Sequence, residues 1–358
     1  MTAKETEFRR MTIKDVARHI GVSAATISNA FNRPDQLSVQ LRERILHECK
    51  SLGYRSPGLP ARTPRPGRVG IVGVVLSDCL SYNLKDTVAN QFLTGLTEEL
   101  DKAQLSLLML SAKEIDSGCQ FRQHEAMVDG FIIYGQMNNR QAYEQMIRQR
   151  KSLISVDCTI EENSSIQSDD FGGALACARH ALTHGPRRVG VLGLRLIDAR
   201  HVCRVYDPSE LFDESESIAC RRLNGYRAAF AECNRQLLHD SIWNIPINTH
   251  ACAQQAAREA LLCNPRPELL LCMSDTIAIA ALQEAQKLGI RVPEDLQIVG
   301  FDGIPEALSC YPSLTTVYQN SMEKGRQAGR LFLDTADSTH IVLDTELLIG
   351  GSCPRPSI

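Results

Sequence analysis

No stretch of the chain approaches the roughly twenty apolar residues that a bilayer-spanning helix requires, and the first residues are charged and polar instead of forming a secretory leader. Both absences lead us to expect a cytoplasmic protein. Aromatic residues make up only 5% of the chain, with a single Trp, a composition that suits an alternating α/β body. Cysteine is plentiful but unpatterned: the 13 residues are odd in number and contain no Cys-x-x-Cys pair, so neither a disulfide framework nor a zinc site has the spacing it needs. Most are expected to be small buried hydrophobes, and no cofactor or metal is expected. The sequence also lacks a phosphate loop, a Gly-x-Ser-x-Gly elbow, a Gly-x-Gly-x-x-Gly after a strand and a His-Glu-x-x-His pair, which counts against the common α/β enzymes.

The 358 residues, 43% of them hydrophobic, suffice for more than one domain. Charge is divided unevenly. Residues 1–68 hold 13 Lys and Arg against 6 Asp and Glu, a balance of +7, and the remainder holds 26 against 36, a balance of −10, which together give the net −3. A basic head on an acidic body concentrates phosphate attraction in one segment.

That segment reads as three short helices. Thr12 followed by Asp15 is a capping-box start, with Ile13, Val16, Ala17 and Ile20 on one face before Gly21. Ser23 is the N-cap of a second helix, reaching Asn32, whose apolar face is Ile27, Ala30 and Phe31. The third begins near Ser38, buries Leu41, Ile45, Cys49 and Leu52, and ends at Gly53. Two helices across so tight a turn, carrying net positive charge, point to the major groove of DNA.

Thr12-Ile13-Lys14-Asp15-Val16-Ala17, Gly21-Val22-Ser23, Thr26-Ile27-Ser28, Phe31-Asn32 and Leu52-Gly53-Tyr54 resemble the headpiece of the lactose-repressor (LacI/GalR) family of bacterial transcription regulators. The likeness continues through Val128-Asp129-Gly130-Phe131-Ile132, Met273-Ser274-Asp275, Gly300-Phe301-Asp302-Gly303-Ile304-Pro305 and Pro312-Ser313-Leu314-Thr315-Thr316-Val317. The resemblance implies an all-α helix-turn-helix headpiece on an α/β periplasmic-binding-protein-like core of two doubly wound parallel-sheet lobes. The expected divisions are a headpiece at 1–56, a hinge at 57–68 and a core at 69–358. The N-lobe is expected at about 69–167 and 303–336, the C-lobe at about 168–302 and 337–358.

Base reading is expected from the start of the second helix: Ser23, Ala24, Ala25, Thr26, Ser28 and Asn29. Asn29 can pair bidentately with an adenine edge, worth ~1–3 kcal/mol of discrimination. The two alanines either touch thymine methyls or serve helix propensity alone, and for Thr12, Ser23, Thr26 and Ser28 capping or phosphate contact competes with base reading. Asn32 and Tyr54, within the matched motifs, are further expected contacts. In the linker, rich in Pro, Gly and Arg, the family's wedging leucine aligns with Pro64. Prolines at 60, 64 and 66 oppose a regular helix, so the hinge is either short, shifted to use Leu59, or extended with Arg62 and Arg65 on phosphates or in the minor groove.

Short apolar runs at 69–76, 105–110, 130–134, 153–157, 188–194, 269–273 and 297–301 read as parallel strands covered on both faces. Ligands in such sheets bind beyond the carboxyl ends of the strands. There the resemblance implies effector contacts from Arg222, in Arg-x-x-Gly-aromatic, and from Asp275, with Asp157 and Tyr82 as weaker candidates; an inter-lobe salt bridge or a helix cap is the duller account of Arg222 and Asp275. Asp169 fits a crossover acid or a helix cap equally. Asn248 aligns where many members place an aromatic that stacks on the ligand. The polar stretch 195–217, longer than in typical members and containing Arg200, His201, Arg204, Asp207 and Asp213, is either a specificity loop or a solvated excursion.

The expected function is a ligand-responsive repressor, not an enzyme, with a double-stranded DNA operator and a small polar, sugar-like effector as partners. No leucine-heptad tail follows Ile349, so a homodimer is expected. A transport-type binding protein and an α/β enzyme are the alternatives.

Overall fold

The computed structural model describes residues 13–32, 37–52, 69–112, 127–136, 146–147, 151–158, 163–213, 217–334 and 338–355. Contacts divide the chain into two units, residues 1–67 and 68–358. Thr12, Tyr54, Leu59, Arg62 and the rest of the linker through residue 68 lie outside the described residues.

The first unit holds α1 (Ile13–Ile20), α2 (Ala24–Asn32) and α3 (Val39–Ser51). Gly21, at φ +78°, lets the chain reverse after α1, and the amides of Gly21 and Val22 both close on the carbonyl of Ala17 at 3.0 Å. Ser23 then caps α2 by accepting from the Thr26 amide at 3.0 Å, and Ser38 caps α3 by accepting from Leu41 at 3.3 Å. Val16, Ala17, Ile20, Ile27, Ala30, Ile45 and Cys49 form its core.

The second unit contains two large sheets. Its helices are α4 (Leu80–Asn83), α5 (Thr87–Lys102), α6 (Asp170–Leu182), α7 (Ile218–Glu232), α8 (His250–Leu261), α9 (Asp275–Lys287), α10 (Pro305–Ser309) and α11 (Ser321–Leu333). Its strands are β1 (Ile71–Leu76), β2 (Ser106–Ser111), β3 (Gly130–Tyr134), β4 (Ser152–Val156), β5 (Ser164–Ser168), β6 (Val189–Leu194), β7 (Cys203–Arg204), β8 (Ile242–Ile245), β9 (Leu269–Cys272), β10 (Gln297–Val299), β11 (Thr316–Tyr318), β12 (His340–Leu343) and β13 (Glu346–Leu348). The first sheet runs β12-β5-β4-β3-β1-β2 and the second β10-β9-β6-β8-β7. The first is wholly parallel, and in the second only the short β7 is antiparallel. Buried clusters centred on Phe92, Leu96 and Ile132 and on Phe131 and Ile133 cover the first sheet. Those centred on Tyr226 and Phe230 and on Trp243 and Leu270 cover the second.

β5 has the sequence Ser-Ser-Ile-Gln-Ser and carries no apolar run; it is stabilised by what its hydroxyls reach. Ser165 Oγ lies 2.8 Å from His340 Nδ1 and Ser168 Oγ donates to the Gln319 carbonyl at 3.4 Å. The lobe boundaries also differ from expectation. β12, placed by sequence in the C-lobe, pairs in parallel with β5 at the edge of the first sheet. Residues 303–318, placed in the N-lobe, stay with the second: Ile304, Ala307 and Leu314 bury beside Leu282 and Ile298, and Thr315 and Tyr318 bridge to Val299 and Asp302. The chain therefore crosses between lobes near residues 169, 320 and 345. The last two crossings flank the antiparallel pair β11-β13.

α5 and α11 pack at backbone distance. A Cβ on Gly325 would run into the Phe92 carbonyl, and one on Gly95 into the Met322 carbonyl. Gly325→Ala is expected to lower the denaturant midpoint, with a loss of ~1–3 kcal/mol from overpacking; an unchanged midpoint would mean these helices separate freely.

Candidate functional site

Between the lobes of the second unit lies a cleft of about 660 Å³. It forms where both sheets reverse strand order. Ser77 and Asp78 follow β1, Tyr134 ends β3 and Gln136 follows it, Arg195 follows β6, Asn248 lies just beyond β8, and Ser274 lies just beyond β9. Loops leaving adjacent strands in opposite directions leave a crevice at such a switch point.

Four of the five expected effector residues line it: Tyr82, Asp157, Arg222 and Asn248. Tyr82 and Asn248 meet across the cleft, the phenol donating to the Asn248 carbonyl at 3.4 Å. Burial, reinforced by Asp86, pushes the Tyr82 phenol up and keeps it a donor. The Asn248 side chain accepts from Ser274 Oγ at 2.8 Å. Arg222 is buried: its Nε donates to Asp170 Oδ1 at 2.9 Å and its Nη1 to the Met273 carbonyl at 2.5 Å, while its guanidinium lies 3.6 Å over the Phe301 ring. Asp157 is held by Lys324, whose Nζ lies 2.8 and 2.9 Å from the two carboxylate oxygens.

Asp275 does not line the cleft. It is fully buried at the start of α9, where one carboxylate oxygen accepts from Thr316 Oγ1 at 2.5 Å and the other from the Ile304 amide at 2.9 Å. Its carboxyl is pushed up to about 7 by burial, against the pull of those donors. Asp275 thus joins α9 to the segment leading into β11. The acid that lines the cleft beside Arg222 is Asp302, which accepts from Gln319 Nε2 at 2.7 Å and lies 3.5 Å from Arg222 Nη1. Burial raises its carboxyl well above the ordinary range, with Arg222 opposing. Asp302 stands in the Gly300–Pro305 motif, but its role was not legible there, because only the crossover brings Gln319 against it. Asp169 caps α6, accepting from the Gly172 amide at 2.8 Å.

The structure also assembles residues with no sequence signal of a site. Arg195 Nη2 donates to Asp78 Oδ2 at 2.8 Å, joining the lobes a second time. Lys324, 1% exposed, adds a bond to Gln319 Oε1 at 3.1 Å. A polar chain therefore runs Asp157–Lys324–Gln319–Asp302–Arg222–Asp170 from one lobe to the other. Asp157, Arg195 and Asp302 all have positive φ, at 60°, 52° and 123°, the kind of strained backbone that clusters at ligand sites.

The 195–217 stretch is no solvated excursion in its first half. Leu196, Ile197, Val202 and Val205 are buried, and β7 pairs with β8, although His201 and Tyr206 are exposed. Among the described residues all twelve cysteines are free thiols, five of them buried. Ligand atoms of His180, His184 and Cys353 lie within 4.8 Å of one another, but both imidazoles already bond backbone carbonyls, of Cys353 at 2.8 Å and Pro354 at 2.7 Å, and so pin the C-terminal segment.

In the first unit, α2 presents an exposed Ser23 and Ala25 with half-buried Thr26, Ser28 and Asn29. Ser23 Oγ lies 2.7 Å from Thr26 Oγ1, so these hydroxyls engage each other as well as the helix start. Ala24 packs against the core while Ala25 faces out, which separates the two alanines. Asn32 is the last residue of α2.

A capped helix-turn-helix unit and a two-lobed cleft-bearing body together define a transcriptional regulator built on a periplasmic-binding-protein-like core. Residues 12–56 match bacterial regulatory proteins of the lacI family, and residues 178–358 match the periplasmic binding protein-like domain. The HTH-type transcriptional regulator Rv3575c of Mycobacterium tuberculosis is 34% identical, with 98% of each chain covered. The HTH-type transcriptional repressor CytR of Escherichia coli K12 is 27% identical over the same share of both chains. The transcriptional regulator CelR, solved as a complex with cellobiose, shares the fold at a TM-score of 0.66 and 24% identity, covering 96% of this chain and 100% of its own. The chain belongs to the lacI family of bacterial regulatory proteins.

Lys324 is a cation removed from water, so its partner matters more than its charge. Lys324→Ala is expected to destabilise the body by ~3–5 kcal/mol, because Asp157 would be left buried and unpaired. The double variant Lys324→Met with Asp157→Leu should recover most of that loss in a denaturant titration. A single variant of wild-type stability would show that the pair is not held away from solvent.

Proposed function

We propose that the protein is a repressor that binds a near-palindromic operator as a homodimer and answers to a small polar, sugar-like effector held between the lobes of its body. The observation that carries this reading is the cleft itself, spanned by Arg195–Asp78 and Tyr82–Asn248. A ligand entering there must keep or replace those contacts, and so favours one closure angle by its differential affinity for the two states. The cellobiose named with CelR supports a sugar-like ligand, and the name of CytR supports repression. Promoter occupancy by itself blocks polymerase. Tyr82, Arg222, Asn248 and Asp302 are the effector contacts of this reading, with Asp157 acting through Lys324.

On DNA, Asn29 is the proposed base reader and Ala25 a methyl contact. Ser23, Thr26 and Ser28 serve the backbone of helix and duplex, with Thr12, Asn32, Tyr54, Leu59 and Arg62 as further contacts. Ala24 is withdrawn from base reading on this account, since it packs inward. A single head grips too little surface, and two heads about one helical turn apart, spaced by the paired bodies, supply the rest. A transport-type role would leave the headpiece without use.

In a selection on randomised half-sites, Asn29→Ala is expected to relax preference at one base pair, at a cost of ~1–3 kcal/mol for that base. Operator titrations of the full-length dimer, with and without sugars, are expected to differ in affinity. Equal affinity under every ligand would leave a constitutive binder, and indifference to duplex DNA at low salt would end the reading altogether.

A further inference from the structure

We propose, resting on the effector-binding reading above, that the cleft selects an uncharged or amine-bearing ring polyol that lays one face on Phe212, and that it excludes phosphorylated and carboxylated ligands. Three features of the cleft converge on this class.

The cations among the described lining residues are already engaged. Five of the described lining residues are Asp (78, 86, 157, 198 and 302) and two are Arg (195 and 222). Arg222 is engaged by Asp170, Asp302 and the Met273 carbonyl, and Arg195 by Asp78 and the Pro246 carbonyl at 3.3 Å. An entering anion meets more carboxyl groups than guanidiniums and has to compete for each guanidinium with a partner in place.

Four of the longer helices carry a side-chain cap as well, whereas the one-turn α4, with Cys79 at its N-cap, carries none. At the carboxyl ends of parallel strands, N-terminal amides are the usual seat of a phosphate. Here α5 is closed by Asp86, which accepts from Ala89 at 2.8 Å, and α6 by Asp169. α7 is closed by Ser217, which accepts from Cys220 at 3.3 Å, and α9 by Ser274, which accepts from Ile277 at 3.2 Å. Two of the four caps are carboxylates, which already satisfy the dipole that a phosphate would seek.

Much of the apolar lining comes from one stretch. Ile197, Ala199, Phe212, Ile218 and Ala219 come from the loop after β6 and the start of α7. Phe212 is 43% exposed although it lines the cleft, and its amide is anchored to the Leu196 carbonyl at 2.9 Å. Asn248 offers no ring, and beside Tyr82 and Tyr134 the 195–217 stretch brings Phe212 to the cleft from a different direction. A ring with a C–H face and hydroxyl edges matches one apolar wall and surrounding carboxylates and amides. An ammonium suits both the carboxylates and the face of a phenyl ring.

The test is isothermal titration calorimetry on the full-length protein with matched probes: glucose, glucosamine, glucose 6-phosphate and gluconate; ribose and ribose 5-phosphate; and cellobiose. At least one neutral or amino sugar is expected to bind, with its phosphate or carboxylate counterpart about 100-fold weaker or worse. Phe212→Ala should weaken the bound sugar about tenfold while Phe212→Trp retains it. Asp198→Arg, at an exposed position of the lining, should narrow the gap to the phosphorylated probe. An anionic probe that binds as well as its neutral parent overturns the proposal, as does a Phe212→Ala variant with unchanged affinity. If no neutral or amino sugar binds at millimolar concentration while the same preparation still binds operator, the ligand class falls and the regulator reading stands. If a sugar binds but no operator does, the reverse holds.

Discussion

One buried ammonium organises the body of this protein. Lys324 sits on α11, which rejoins the first sheet after the second crossover, and at 1% exposure its Nζ is met by both Asp157 and Gln319. Satisfying Gln319 draws in Asp302, Asp302 lies against Arg222, and Arg222 takes Asp170 and the Phe301 ring. Each member solves the desolvation problem of the one before it, and a half-satisfied chain of this kind is worse than an apolar core. Such chains contribute little net stability but define one arrangement. Here that arrangement is the relation of two lobes that share few covalent connections.

The chain also places mobility. The crossover side of the cleft is built from buried, mutually satisfied groups, whereas Arg195–Asp78 involves an Arg side chain 40% exposed. A contact that water can replace costs little to open. Closure is therefore cheap at the Arg195–Asp78 contact and expensive near the crossovers, the mechanical condition for a hinge whose angle a ligand can set. The same asymmetry accounts for Asp275, which is spent joining α9 to the crossover and is not available to a ligand.

Much of the fold was legible in advance. The head follows from local chemistry: caps at Ser23 and Ser38, a reversal at Gly21, and apolar residues at helical spacing. The near-continuous apolar strands β1, β3, β6 and β9 follow from burial on both faces. β5 was not legible, because its serines are stabilised by His340 and Gln319, partners more than 150 positions away in the chain. β12 was not legible either, since an edge strand with one wet face shows no buried run.

The division in the site has the same origin. Sequence alone determined the basic headpiece, the two-sheet body and the cleft at its strand ends, because these depend on periodicity, caps and charge within a few residues. It also nominated Tyr82, Arg222 and Asn248, each of which lines the cleft. Tertiary structure alone decided that Asp302 and not Asp275 lines the cleft, that Lys324 holds Asp157, and that Phe212 reaches the cleft from the 195–217 stretch. Those outcomes turn on which groups the crossovers bring together out of water, and a buried charge takes its role from neighbours that sequence distance does not disclose.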